Sequence, residues 1–154
     1  MAARYVQTVQ QLLPTLELKL SHLQMHAIHG DCHLGNTLWY EGQPFFLDFD
    51  DMMIGPPVQD LWMIIRGREE EAVKQRDLLL QSYEMMRPFD HSTLELIEPL
   101  RALRMIHFSG WIAKRWEDPS FPRVFLNFGK TEYWQEEIVA LEEIRELIQG
   151  QSAY

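Results

Sequence analysis

His29-Gly30-Asp31-Cys32-His33-Leu34-Gly35-Asn36 is followed, after two short apolar runs, by Leu47-Asp48-Phe49-Asp50. The first of these stretches reads as a loop because of its two glycines. Thr37 to Tyr40 and Pro44 to Leu47 read as short strands flanking Glu41-Gly42-Gln43, which predicts a hairpin. A four-residue strand covers roughly 13 Å, and an antiparallel return retraces that distance. Asp48 is therefore expected close to Asn36, so that Asp31, Asn36 and Asp48 converge at one end of the hairpin. This is where polar residues are concentrated against the hydrophobic pattern.

One carboxylate and one amide oxygen suit Mg²⁺, which takes oxygen ligands, keeps several waters and shares its coordination with phosphate oxygens. A separate carboxylate can then orient and deprotonate an acceptor hydroxyl. An Asp followed five positions later by Asn, then Asp-Phe after a hairpin, is also the order of the catalytic and metal-binding residues in protein kinases. Plainer readings stand beside this one. Asp48 and Asp51 can cap turns or a following helix, and for Asp51 capping is preferred. Asp50, where the kinase pattern has Gly, is open between a carboxylate adjacent to the metal and one that supports its ligands from behind. Cys32 is expected to pack, with no basic neighbour to activate it.

The string from His29 to Trp39, with Leu47-Asp48-Phe49-Asp50, resembles the aminoglycoside-phosphotransferase-like kinases, in which Gly commonly precedes the catalytic Asp. Within that branch it is similar to the bacterial stress response kinase A group. Gly55-Pro56, Val58-Gln59-Asp60-Leu61-Trp62-Met63, Ile97-Glu98-Pro99-Leu100-Arg101-Ala102 and the stretch from Arg115 to Pro122 fit the same group. The resemblance implies a mainly α fold with a small β-hairpin, the C-terminal lobe of a protein-kinase-like fold. It implies ATP and Mg²⁺ as cofactors and a Ser or Thr of a protein as acceptor. Asp31 would be the base, Asn36 and Asp48 the magnesium ligands at the nucleotide, His29 a structural support of the loop, and Asp60 a buried brace for it. Aminoglycosides, choline or homoserine are alternative acceptors on the same scaffold.

Outward from the hairpin, the chain reads as one domain over 1–154: a leading helical segment at 1–25, the catalytic loop and hairpin at 26–51, and a helical subdomain at 57–150. Val6, Val9, Leu13, Leu16, Leu20 and Leu23 predict a first helix, broken or restarted near Pro14. Val58, Leu61, Trp62 and Ile65 form one further stripe, and Val73 through Met86 predict another helix. Ser92-Thr93-Leu94-Glu95 has the form of a capping box, and Pro99 is expected to kink or restart the helix beyond it. Asp118 to Asn127 reads as an aromatic-rich loop, and a last helix runs from near Thr131 to Gly150. Trp111, Trp116 and Trp134 are expected in the core.

The 154 residues are 46% hydrophobic, enough for a buried core, and carry a net charge of −9, which argues against a nucleic-acid partner. No apolar run is long enough to span a bilayer, and a single cysteine allows no intrachain disulfide, so the cytoplasm is the expected compartment. No Gly-x-Gly pair and no Val-Ala-x-Lys-like lysine ahead of Asp31 occur, so the N-terminal nucleotide lobe of such kinases is expected to be absent. The chain by itself is then expected to be inactive and to need that lobe, or a self-associating copy. Two other readings are carried: a non-catalytic truncated lobe, and a metal-dependent hydrolase holding zinc through His29, Asp31 and His33.

Overall fold

The computed structural model describes residues 1–21 and 23–151, which form two compact units, one within 23–97 and the other made of 1–21 with 98–151. The first contains the loop and hairpin. Strand β1 (His26–Ile28) pairs antiparallel with β4 (Met53–Gly55), Ile28 standing opposite Met53. Between them, β2 (Thr37–Tyr40) pairs with β3 (Gln43–Phe46), Thr37 opposite Phe46 and Tyr40 opposite Gln43. The turn is the two residues Glu41-Gly42, with φ of 49° and 76°. Two successive positive φ values give a turn whose twist matches that of the flanking strands. Gln43 thus belongs to the first rung of the ladder rather than to the turn.

The β1–β4 pair goes beyond the predicted hairpin. Each partner is only three residues long, too short to show alternation in a sequence. Its effect is to clip both ends of the loop-and-hairpin segment together.

Helix α2 (Val58–Ile64) buries Val58, Leu61, Trp62 and Met63, whereas Ile65 leaves the helix with extended backbone. Helix α3 (Glu70–Glu84) buries Ala72 and Leu80 and stops before Met85 and Met86, which are almost fully exposed. The cap expected at Ser92 lies at Asp90, whose carboxylate accepts from Ser92 N (3.0 Å) and Ser92 Oγ (2.6 Å). A 3₁₀ turn over His91–Leu96 then leads into helix α4 (Ile97–Lys114). Pro99 sits in the first turn of α4, where its missing N–H has no intrahelical partner to lose, so no break occurs.

In the other unit, α1 (Ala2–Lys19) runs through Pro14 without interruption. Pro14 lies on the exposed face, where water can reach the carbonyl its ring leaves unbonded. The buried stripe of α1 is Thr8, Leu12 and Leu16, while Val6 and Leu13, expected inside, are exposed. Leu12 and Leu16 pack with Ala102 of α4 and with Leu141, Ile144 and Ile148 of α6 (Thr131–Gln151). Gly150 is inside α6 rather than at its end. The aromatic loop holds a short helix, α5 (Ser120–Val124), whose entry is tied by Asp118 accepting from Ser120 N at 2.9 Å. Trp134 packs its ring edge-on to Tyr5 and Trp116 lies against Phe128, but Trp111, Trp116 and Trp134, expected in the core, are only half-buried.

Candidate functional site

The loop after β1 is anchored from below by one carboxylate. Asp60, in the first turn of α2, accepts the His29 N–H at Oδ2 (2.8 Å) and the Gly30 N–H at Oδ1 (3.0 Å). Both oxygens are thereby used on successive backbone donors, and a charged acceptor makes each bond stronger than a neutral one. Asp60 is half-buried, not enclosed as expected. Gln59 adds a second link: its Nε2 donates to Gly30 O at 3.4 Å, and its Oε1 accepts from Trp62 Nε1 at 3.1 Å. Sequence reasoning missed Gln59, although its position next to Asp60 at a helix start was the available signal.

Gly30 adopts φ +84°, and a Cβ there would stand 2.2 Å from the Asp51 carbonyl oxygen. The loop therefore passes so close to the turn after β3 that only glycine fits. His29, buried at 8% exposure, makes the neighbouring link. Its Nε2 lies 2.8 Å from Leu47 O and must be the donor, since a carbonyl only accepts. Nδ1 then accepts the Asp31 N–H at 3.4 Å, and the ring rests against Phe49 at 4.7 Å between centroids.

Asp31 and Asn36 are brought together. Asn36 Nδ2 lies 3.1 Å from Asp31 O and 3.4 Å from Asp31 Oδ2, which leaves the amide Oδ1 as the atom able to face a cation. Leu47 N donates to Asn36 O at 2.9 Å, so Asp48 follows directly on a residue bonded to Asn36. Asp48 has φ 62° and ψ 66°, left-handed backbone that Asp tolerates better than most residues. It opens a 3₁₀ turn over Phe49–Asp51 in which Asp50 and Asp51 are exposed. Among the described residues no three His, Cys, Asp or Glu side chains gather as a metal cage. His29 gives its Nε2 to Leu47 O, and His33 Nδ1 accepts the Gly35 N–H at 2.9 Å, so at least one nitrogen of each ring is engaged with the backbone.

Cys32 is buried, and burial, reinforced by the charges of Asp60 and Asp31, pushes its thiol up to about 11. A thiolate is the nucleophile, so Cys32 should stay unmodified by a disulfide reagent at pH 8 in the folded chain and react fully in denaturant. Rapid labelling without denaturant would show that the loop opens readily.

Asp31 and Asn36 thus meet on a loop held by Asp60 and His29, and Asp48 follows the residue whose N–H is bonded to Asn36. The chain belongs to the phosphotransferase enzyme family, whose sequence model matches residues 1–97. Its mainly helical build with small antiparallel strand pairs is that of the C-terminal lobe of this kinase-like fold. It is similar to stress response kinase A of Escherichia coli K12, 45% identical over 107 residues, which are 70% of this chain and 32% of that protein. It is similar also to stress response kinase A of Salmonella typhi, 44% identical over 108 residues, 70% of this chain and 33% of that one. The serine/threonine protein kinase RdoA of Salmonella typhimurium matches with the same identity and coverage. The chain spans about a third of the length of these relatives. No helix among the described residues is long and apolar enough to cross a membrane.

Proposed function

We propose that this chain is the catalytic and cation-holding lobe of an ATP-dependent kinase that phosphorylates Ser or Thr of proteins in the cytoplasm. The observation that supports this is the Asn36 side chain. Its Nδ2 is spent on Asp31 while its backbone carbonyl binds the chain just before Asp48. An oxygen-only donor pair, Asn36 Oδ1 and the Asp48 carboxylate, fits a hard cation, and Mg²⁺ bound there would neutralise charge on the phosphate oxygens. In this reading Asp31 orients the acceptor hydroxyl and takes its proton. His29 and Asp60 hold the loop so that this carboxylate is in position before the acceptor arrives. In this reading the phosphate-covering glycines and the phosphate lysine would be supplied from outside these 154 residues. The relative named a serine/threonine protein kinase supports the protein acceptor. The net charge of −9 favours a second reading, a cationic small-molecule alcohol as acceptor.

The test uses γ-labelled ATP with Mg²⁺ and a generic protein acceptor, or an aminoglycoside. The chain is assayed by itself and as a chimera replacing the matching stretch of the Escherichia coli kinase. The chimera is expected to transfer phosphate to protein, and the isolated chain to transfer negligibly. Asp48→Asn, which suits the left-handed backbone, should keep the fold and weaken Mg²⁺-dependent nucleotide binding by more than roughly tenfold, since even residues that only support a ligand cost that much. A chimera that folds and binds ATP but labels nothing would point to a non-catalytic lobe.

A further inference from the structure

His33 stands two residues beyond Asp31, and the resemblance drawn from the sequence gives it no role. Its side chain is three-quarters buried, with 24% exposure against 20% for that of Asp31. Nδ1 accepts the Gly35 N–H at 2.9 Å, and an accepting nitrogen carries no proton. The neutral ring therefore holds its hydrogen on Nε2. That nitrogen lies 3.4 Å from Asp31 Oδ2, the same oxygen that Asn36 Nδ2 approaches at 3.4 Å. The ring lies over Gly35 so closely that a Cβ there would be 2.7 Å from His33 Cε1 and 2.8 Å from Nδ1.

Capping of the short turn over Leu34–Asn36 accounts for Nδ1 alone. Asn, Asp or Ser would accept the Gly35 N–H as well as His does. Only a ring with an acceptor on one side and a donor on the other also reaches the carboxylate. A tautomer fixed by the bond at the far nitrogen is a recurrent way of aiming an imidazole N–H.

We propose that His33 is a positioning residue for Asp31: locked as the Nε2–H tautomer by Gly35, it donates to Oδ2 and, with Asn36, sets the carboxylate rotamer. The tautomer rests on the Gly35 bond and the aim at Asp31 on the 3.4 Å approach of Nε2 to Oδ2, whereas their effect on turnover rests on the reading of Asp31 as the group that takes the hydroxyl proton.

Long-range proton–nitrogen NMR at pH 8 on the full 154-residue chain reads the ring directly. His33 is expected as the Nε2–H tautomer, with an Nε2 proton slow to exchange with solvent. Asp31→Ala should speed that exchange at least tenfold while leaving the tautomer and the Gly35 amide unchanged. A ring that only caps the turn would show no response to Asp31→Ala, and an Nδ1–H tautomer would overturn the proposal outright. In the chimera, His33→Asn retains the cap and removes the donor. It is expected to lower kcat roughly ten- to hundredfold with the KM for ATP unchanged, the scale of a misplaced reacting group. Gly35→Ala, which drives the ring away, should do the same. If Asp31→Asn abolishes transfer but His33→Asn and Gly35→Ala leave kcat intact, the positioning role is wrong and the kinase reading survives. If Asp31→Asn leaves transfer intact, the kinase reading itself has failed, and the NMR result still decides the hydrogen bond.

Discussion

In the chimera, Asp31→Asn is expected to lower phosphoryl transfer by roughly 10²- to 10⁴-fold, the range over which general bases contribute, and to leave ATP affinity within a factor of about two. The amide is nearly the same shape as the carboxylate. Its oxygen can still accept from Asn36 Nδ2, and Asp31 N can still donate to His29 Nδ1, so the loop has no reason to move. What disappears is the ability to take a proton from the acceptor hydroxyl. In the proposed reading nucleotide binding rests on Asn36 and Asp48, one on each side of the hairpin, and neither is altered. Turnover and nucleotide affinity measured on the same preparation separate the outcomes. Wild-type turnover would sink the role of Asp31, and a parallel loss of affinity would mean that Asp31 belongs to the cation site.

The second large effect is on stability and can be read in the isolated chain. Gly30→Ala should destabilise it by about 2–5 kcal/mol in urea denaturation, from two separate causes. Holding Ala at φ +84° costs about 1–2 kcal/mol. The added methyl would lie 2.2 Å from the Asp51 carbonyl oxygen. That obstacle is backbone, so no rotamer change relieves it, and overpacking of this kind adds about 1–3 kcal/mol. Yielding would also pull Gly30 N from Asp60 and Gly30 O from Gln59. A loss below about 1 kcal/mol would show that the loop and the turn after β3 separate easily, and would weaken the case for a rigidly held base.

Legibility in the sequence followed the strength of the physical signal. The β2–β3 hairpin was readable because Glu41-Gly42-Gln43 interrupts two apolar runs and Gly suits a tight turn. Asp31 and Asn36 lie five positions apart on one loop, close enough for the side chains to meet at 3.4 Å. The β1–β4 clip was not, since its pairing joins residues far apart in sequence and each strand is three residues long. The phase of α1 was misjudged because apolar residues occur on more than one face. Thr8 goes inward, its hydroxyl satisfied by Arg4 O at 3.1 Å, while Val6 stays outside. The cap at Asp90 was overlooked because Ser92 begins a better-known pattern two residues later. The roles of Gln59 and His33 depend on side-chain direction, and no periodicity reports that.

The two units differ in how their contacts are spread along the chain, and that bears on the order in which they can form during synthesis. Every link described around the site, from β1 through the hairpin to Asp60 on α2, lies within one continuous stretch. Such local contacts close small loops, cost little chain entropy and form fast. The core of the other unit joins Leu12 and Leu16 to Leu141, Ile144 and Ile148, so it cannot close until α6 has left the ribosome. Until then α1 carries an apolar stripe with no partner from the last helix. A nascent chain arrested before α6 should therefore already protect the loop amides of His29 and Gly30 from exchange, while α1 remains accessible to protease.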